Sequence, residues 1–202
     1  MIFNLEYLCG EMEKEITVVT VYAESTPNPA AMKFVASTML LNQGSVEYLN
    51  AEQAVDCPLA QQLFNFDGVA SVFIASNFVT VNKKPDFDWF DLMPILRQFI
   101  KSYLESGEKI FLLAEIKNKK SEIVEGNIEN KIIQALDEYV KPAVEQDGGA
   151  IHFKSFHDGV VTLILKGSCS GCPSSLITLK AGIERLLTQL IPEVVEVVAE
   201  EV

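Results

Sequence analysis

The sequence predicts an α+β protein of two small domains, the second with the order α-β-β-α-β, a three-stranded sheet and two helices. The sequence contains two regions, and each combines runs of β-branched residues with apolar residues at helical spacing. A charged segment that contains a glycine separates the two regions. A chain of 202 residues is long enough to bury a core in each domain. The predicted divisions are a flexible extension at 1–15, an N-terminal domain at 16–113, a linker at 114–127 and a C-terminal domain at 128–202.

The first domain is predicted to combine extended segments with two helices. The β-branched run at 16–22 predicts a strand, and two prolines after it interrupt pairing before a second extended segment. Pro58 suits the first position of a short helix. The alternation at 68–84 predicts a hairpin that turns near Ser76 and Asn77.

A longer helix completes this domain. It is predicted to end at Gly107, with Pro94 in its first turns. Apolar residues at helical spacing predict a buried stripe of Phe90, Met93, Leu96, Ile100 and Leu104.

The second domain is predicted to begin with a helix that Asn127 caps and that kinks or ends near Pro142. A sharp turn at glycines 148–149 leads into a hairpin that bends at 158–159. The run at 160–165 is apolar on both faces, which predicts a central strand. The helix should bury Ile128, Ile132, Leu136, Val140 and Val144.

A loop of small residues precedes the last helix and strand. Pro173 suits the first position of that helix. Its predicted buried stripe is Leu176, Leu179, Ile183, Leu186 or Leu187, and Leu190. The apolar run after Pro192 predicts the third strand of the sheet.

Composition and charge narrow the classes of function. The formal net charge is -12, so the chain repels phosphate backbones and anionic lipid, and neither nucleic acid nor a membrane is an expected partner. No apolar run approaches the roughly 20 residues that span a bilayer. The start lacks a basic leader, and four cysteines are too few for a disulfide scaffold. We therefore expect a cytoplasmic protein in a reducing compartment.

Two cysteines three residues apart, Cys169 and Cys172, carry the chemistry. They lie just ahead of a predicted helix, whose free N–H groups and dipole lower the pKa of a nearby thiol, so Cys172 should ionise easily. Ser168, Ser170 and Gly171 keep the loop small, which lets backbone amides approach a sulfur ligand. These small polar flanks also argue against an inert position in the core.

Three kinds of chemistry fit such a pair. A dithiol-disulfide oxidoreductase would use one cysteine as nucleophile and the other as resolving thiol. However, redox motifs of this kind place the attacking cysteine at the helix start, and here Pro173 follows the second cysteine. A structural zinc site needs two more ligands, and His152 and His157 are predicted to point to opposite faces of a strand.

An iron-sulfur cluster of the 4Fe-4S type is the third possibility. It takes four thiolates, and this loop supplies two through Cys169 and Cys172. The same loop of a second copy, related by a two-fold axis, would supply the other two without any new sequence. A cluster held in this way should be exposed and weakly caged, which favours handing it on over permanent electron transfer.

A family resemblance surrounds the cysteine pair. It is carried by Asp147-Gly148-Gly149, Cys169-Ser-Gly-Cys172-Pro173-Ser-Ser, Thr178-Leu-Lys180, Gly182-Ile-Glu184 and Pro192-Glu-Val194. This pattern resembles the C-terminal domain of the NifU family, the Nfu-type iron-sulfur scaffold and carrier proteins. The segments "STPNPAAMKF", "PLAQQLF" and "FVTVNKK" resemble the N-terminal domain of its two-domain members.

The resemblance implies a protein that assembles or receives a 4Fe-4S cluster at a homodimer interface and delivers it to apo-proteins. Cys169 and Cys172 would be the ligands, 2Fe-2S is the alternative core, and client proteins and assembly machinery are the implied partners. No catalysed reaction is implied. The chain departs from the family pattern at Ala150, where an acidic residue is frequent, and at Lys141, where arginine is frequent.

The remaining cysteines have less specific roles. Cys57 precedes Pro58 at a predicted helix start, where a cap or packing role is favoured over a reactive thiol of low pKa. Cys9 falls in the predicted extension. As an alternative within one chain, Cys9 and Cys57 would complete the ligand set, and the family resemblance does not support it.

Overall fold

The computed structural model describes residues 18–112, 128–170 and 173–201. The predicted extension at 1–15 and the predicted linker at 114–127 lie outside the described residues. Within the described ranges there are two sheets, one of five strands and one of three, each packed against helices. The α+β class and the two small domains are therefore confirmed.

The N-terminal sheet is antiparallel and has the order β1-β2-β5-β4-β3. Its strands are β1 (Val21–Ser25), β2 (Ala31–Ala36), β3 (Ser45–Tyr48), β4 (Val69–Ala75) and β5 (Phe78–Lys83). The hairpin turn between β4 and β5 is confirmed, and Ser76 in it has φ of 47°. Of the strand predicted at 16–22, residues 16–17 lie outside the described residues and residues 18–20 are not in a strand. β1 begins at Val21, and its pairing with β2 runs from Val21 opposite Ala36 to Ser25 opposite Met32.

Three helices accompany this sheet. They are a 3-10 helix at Gln53–Asp56, α1 (Pro58–Leu63) and α2 (Trp89–Ser106). Pro58 is at the start of α1 and Gly107, with φ of 71°, ends α2, both as predicted. The sequence patterns did not predict β3 or the 3-10 helix.

The buried face of α2 differs from the predicted stripe. Leu92, Leu96, Ile100 and Tyr103 are its buried residues, whereas Phe90 is 85% exposed. The helix begins at the Asp88 cap, whose carboxylate accepts a hydrogen bond from the Phe90 N–H at 2.7 Å. The prediction for Phe90 is wrong because the stripe turned toward the sheet starts at Leu92.

The C-terminal domain has the predicted α-β-β-α-β order. Its elements are α3 (Ile128–Ala135), a π-helical turn (Leu136–Val140), α4 (Lys141–Gln146), β6 (Gly149–His157), β7 (Val160–Gly167), α5 (Pro173–Leu190) and β8 (Glu196–Glu201). β7 is the central strand, antiparallel to β6 and parallel to β8. The helical segment continues past Pro142 and is not ended by it, but its α-helical pattern is interrupted by the π-helical turn just before Pro142, which lies in the first turn of α4.

Two further predictions concern turns and helix faces. The hairpin bend has positive φ at both Asp158 (50°) and Gly159 (82°), as expected for a two-residue turn. Ile183 and Leu187 of α5 are buried in the core, but Leu190 is 50% exposed, so its predicted place in the stripe is wrong.

In the part of the chain that the structure describes, no helix combines the length and the apolar character needed to cross a membrane.

Candidate functional site

The cysteine loop, residues 167–170, leads from β7 towards α5 and is shaped by a glycine. Gly167 has φ of 69°, a left-handed conformation that glycine adopts at little cost. A Cβ on Gly167 would lie 2.8 Å from the Gly148 carbonyl oxygen and 3.0 Å from the Phe73 ring. The N–H and the hydroxyl of Ser170 both donate to the Gly167 carbonyl oxygen, at 3.2 and 2.8 Å. Any larger residue at 167 would therefore disturb the loop.

Cys169 is buried at 8% exposure and packs into the C-terminal core. Its sulfur lies close over Gly149, where a Cβ would be only 2.6 Å from Sγ. The Ser168 hydroxyl lies 3.9 Å from the same sulfur. The small polar flanks argued against a core position, but the side chain turns inward because Gly149 leaves it room.

Burial controls the acidity of this thiol. It raises the pKa of Cys169 to about 11, while the hydrogen bond with Ser168 lowers it and the charges of Asp147 and Glu47 raise it further. In this conformation Cys169 is therefore a neutral thiol near neutral pH. Because a metal ligand must be the thiolate, binding at this sulfur would release a proton.

A cavity of about 470 Å³ adjoins Cys169. Helices of the C-terminal domain and the Pro27 turn of the N-terminal domain both line it, through Pro27, Ala143, Asp147, Ser168, Thr178 and Leu179 among others. The space beside the sulfur is thus bounded by both domains.

Cys172, the second predicted ligand, lies outside the described residues. Its lowered pKa stays a prediction. The helix that should follow it does begin at Pro173, as α5. Between the central strand and α5 the chain therefore has the order that the sequence predicted for a ligand loop at a helix start.

Asn28 contacts the cysteine loop from the other domain. Its side-chain amide donates to the carbonyl oxygens of Ser168 and Ser170, each at 3.1 Å. Its Oδ1 accepts from the Ala30 N–H at 2.9 Å, which fixes the orientation of the amide. Asn28 is only 4% exposed. The sequence patterns did not indicate a role for Asn28, although the prolines on both sides of it indicated a restricted backbone at this turn.

The turn before β6 is held from the same side. The Thr80 hydroxyl donates to the Gly148 carbonyl oxygen at 2.7 Å, and the Lys33 ammonium donates to the Gln146 carbonyl oxygen at 3.0 Å. Gly148 has φ of 83°, and a Cβ on it would be 2.9 Å from the Thr80 hydroxyl oxygen. Glycine therefore permits the close approach of the two domains at this point.

Glu47 is another polar side chain of the N-terminal domain that reaches the loop. Its Oε1 accepts from the Gly167 N–H at 2.9 Å. Its Oε2 is buried and has no hydrogen-bond partner within the described residues. Burial raises the pKa of Glu47, and the hydrogen bonds from Gly167 and Ser170 and the charge of Lys166 oppose that rise. The carboxylate binds the loop but is poorly solvated there.

Cys57 is remote from this loop. It is fully buried at the start of α1 and belongs to the N-terminal core, whereas Cys169 belongs to the C-terminal one. Burial raises the pKa of Cys57 to about 11, which agrees with the packing role and not with a reactive thiol. Cys9 lies outside the described residues. Within residues 18–112, 128–170 and 173–201, no group of three or more His, Cys, Asp and Glu side chains could hold a metal ion.

The two histidines differ in environment. His157 is exposed at the end of β6. His152 shares a hydrogen bond of 3.0 Å with the Ser45 hydroxyl of the other domain. Burial lowers the pKa of His152 below its ordinary 6.5, the charges of Lys166 and Lys141 lower it further, and Asp137 opposes them.

The His152 environment predicts a pH effect. Since the folded state binds this proton less tightly than the unfolded state, the free energy of unfolding should fall as the pH drops below about 6.5. Glu47, a carboxyl with a raised pKa, acts in the opposite direction at lower pH. We expect His152→Gln to lose less stability than the wild type between about pH 7 and about pH 5.5, measured by urea denaturation. Equal losses in the two proteins would contradict the assignment.

Two domain families match the chain. One, described as scaffold protein Nfu/NifU N terminal, matches residues 21–107, and the other, the NifU-like domain, matches residues 132–198. The human protein named NFU1 iron-sulfur cluster scaffold homolog, mitochondrial, is 36% identical over 175 residues, which are 86% of this chain and 69% of the relative. The chain belongs to the NifU family of Nfu-type proteins.

Two further proteins are similar to this Nfu-type chain. NifU-like protein 4, mitochondrial, of Arabidopsis thaliana is 37% identical over 179 residues, which are 86% of this chain. The chain spans 63% of that relative's length. A solved structure of a NifU-like protein from Saccharomyces cerevisiae aligns with 55% of this chain and 98% of its own, at 24% identity and a TM-score of 0.43.

The expected cytoplasmic location is wrong by this comparison. The relatives from Arabidopsis thaliana, Drosophila willistoni and Homo sapiens are all named as mitochondrial proteins. The expectation depended on the absence of a basic leader. A cytoplasmic protein and an organellar protein whose leader has been removed both lack one, so that part of the sequence carries no information on the compartment.

Proposed function

We propose that this Nfu-type protein is an iron-sulfur cluster scaffold or carrier. It would bind a 4Fe-4S cluster between two copies of the chain and transfer it to apo-proteins. The human relative is named an iron-sulfur cluster scaffold homolog, which supports the coarser role. The cluster is cargo in this function, so the chain would bind it and release it without catalysing a reaction.

The ligand set follows from the number of cysteines in the C-terminal domain. Residues 128–202 contain two, Cys169 and Cys172. Four thiolates hold a 4Fe-4S cluster, so a second copy is needed to complete the set. One chain thus supplies two of the four thiolates, from the sequence between β7 and the start of α5. This is the observation that carries the proposal.

A dithiol oxidoreductase that attacks through Cys169 receives less support. Such an enzyme needs a thiolate nucleophile, and burial raises the pKa of Cys169 to about 11. In this conformation the thiol is both neutral and covered. A cluster ligand differs in this respect, since iron itself stabilises the deprotonated sulfur when it binds.

Iron and sulfide per chain, measured together with solution mass, test the proposal. After anaerobic reconstitution we expect about two irons and about two sulfides per chain in a dimer, because one four-iron core is shared by two chains. About one iron per chain in a dimer would point to a shared 2Fe-2S core instead. A monomer that retains a complete cluster would contradict the shared ligand set. Addition of an apo iron-sulfur protein should then deplete the dimer of its cluster.

A further inference from the structure

One face of the N-terminal sheet is turned away from α1 and α2. Side chains alternate along a strand, so that Phe34, Val72 and Val79 point into the N-terminal core while their neighbours point to the other side. The docking face consists of these neighbours together with Asn28 from the β1–β2 turn: Asn28, Lys33, Val35, Ser45, Glu47, Phe73, Ala75, Phe78 and Thr80. It is the face that meets the C-terminal domain.

An apolar centre joins the two domains across this face. Val35, Phe73, Ala75 and Phe78 form one buried cluster with Ala150 of β6. The Phe73 and Phe78 rings have centroids 6.0 Å apart. Burial of such a cluster stabilises association, whereas its exposure would leave aromatic rings in water.

Polar side chains around this centre contact the backbone of the C-terminal domain. Their backbone partners are the carbonyl oxygens of Gln146, Gly148, Ser168 and Ser170 and the N–H of Gly167. All five belong to the cysteine loop or to the turn before β6. The polar side chains of the docking face therefore bind the main chain around Cys169, while its apolar centre and Ser45 contact β6.

In this docked arrangement Ser168 and Cys169 are not free to face a second copy. Ser168 is 2% exposed and Cys169 is 8% exposed. Pro27 of the N-terminal domain lines the cavity that adjoins Cys169. A cluster shared between two chains needs each cysteine loop to face its counterpart, and a covered loop offers no such surface.

We propose that the docking face is an intramolecular binding surface for the cysteine loop, and that docking and the cluster-bound dimer are alternative states of the chain. This inference rests on the proposed function. Binding of the cluster withdraws the loop from the docking face, and each thiol gives its proton to solvent as its sulfur bonds iron. The first copy's own N-terminal domain thus competes with the second copy for the loop.

Asn28 offers a selective way to weaken docking. Asn28→Asp keeps the Oδ1 that accepts from the Ala30 N–H but places a carboxylate oxygen against the carbonyl oxygens of Ser168 and Ser170. Asn77→Asp is the matched control. In the wild type, the Asn77 side-chain amide donates to the Ala36 carbonyl oxygen at 3.0 Å, within the N-terminal domain.

Alkylation of the apo-protein with iodoacetamide measures docking directly. The reagent forms a sulfur–carbon bond and releases iodide, and mass spectrometry with fragmentation assigns the product to Cys169. We expect Cys169 to react about tenfold faster or more in Asn28→Asp than in the wild type, since two lost hydrogen bonds, one of them to the buried Ser168 carbonyl oxygen, favour the open state. Cys57, fully buried in the other core, reports global unfolding and should react at the wild-type rate.

The outcomes separate docking from general damage. Faster reaction of Cys57 in Asn28→Asp, or an equal acceleration of Cys169 in Asn77→Asp, would mean that the substitution unfolds the domain, and the assignment of Asn28 to docking would be wrong. Unchanged reactivity of Cys169 in Asn28→Asp would overturn it as well.

Hydrogen exchange in the cluster-loaded dimer tests the competition. The Gly167 N–H donates to Glu47 in the docked state, so its amide should exchange slowly in the apo-protein and faster in the dimer. A loaded dimer with Gly167 still protected would overturn the inference and leave the proposed function intact.

If neither wild type nor Asn28→Asp takes up iron and sulfide, both the proposed function and the withdrawal of the loop are wrong, while the alkylation rates still decide whether the domains dock.

Discussion

Replacement of Cys169 by alanine is expected to remove the cluster and the dimer that the cluster holds together. Each dimer would lose two of four thiolates, because both copies carry the change. Loss of a group that merely supports a metal ligand already costs up to about a hundredfold in affinity, so loss of a ligand in both copies should cost more than that. Iron per chain, visible absorbance and solution mass after anaerobic reconstitution measure the result.

Cys57→Ala is a closely matched control for this experiment. Both cysteines are buried, and burial raises the pKa of each to about 11. Each substitution removes one sulfur from a packed core, and each should cost about 1 kcal/mol of stability. Only Cys169→Ala should lose iron. Retention of the cluster by Cys169→Ala, or its loss from Cys57→Ala, would move the ligand assignment to another part of the chain.

Features that depend on a few adjacent residues could be predicted from the sequence. Pro58 and Pro173 indicated helix starts, and Asp158 with Gly159 indicated a hairpin bend, because backbone restrictions act locally. The central position of β7 followed from an apolar pattern on both faces. The pair Cys169 and Cys172 indicated metal or thiol chemistry because both cysteines lie within one segment of four residues.

Features that depend on distant pairing could not be predicted in this way. β3 was missed because its short run becomes a strand only by pairing with β4. Asn28 was missed because its two hydrogen-bond acceptors lie 140 and 142 residues further along the chain. The burial of Cys169 has a similar origin. Its serine and glycine neighbours indicated an open loop, whereas Gly149 and the docked N-terminal domain together cover it.

Gly167→Ala is expected to be strongly destabilising, for two separable reasons. A left-handed backbone conformation costs a residue with a Cβ about 1–2 kcal/mol, and Gly167 has φ of 69°. Its Cβ would also lie 2.8 Å from the Gly148 carbonyl oxygen and 3.0 Å from the Phe73 ring. Forced overpacking of this kind costs about 1–3 kcal/mol. We expect a total loss of about 3 kcal/mol in urea denaturation.

Two other glycines separate these contributions. Gly107 has φ of 71° but nothing within 4 Å of its added Cβ, so Gly107→Ala should lose only the conformational part, about 1 kcal/mol. Gly182 lies exposed in α5 with ordinary helical geometry and open space, so Gly182→Ala should gain about 0.5–1 kcal/mol. The excess loss of Gly167→Ala over Gly107→Ala then measures the steric cost of the new methyl group against the Gly148 carbonyl oxygen of the same domain and the Phe73 ring of the N-terminal domain. Equal losses at the two positions would contradict the steric contribution, because both the Gly148 carbonyl oxygen and the Phe73 ring would then have to move away from the new methyl group without cost.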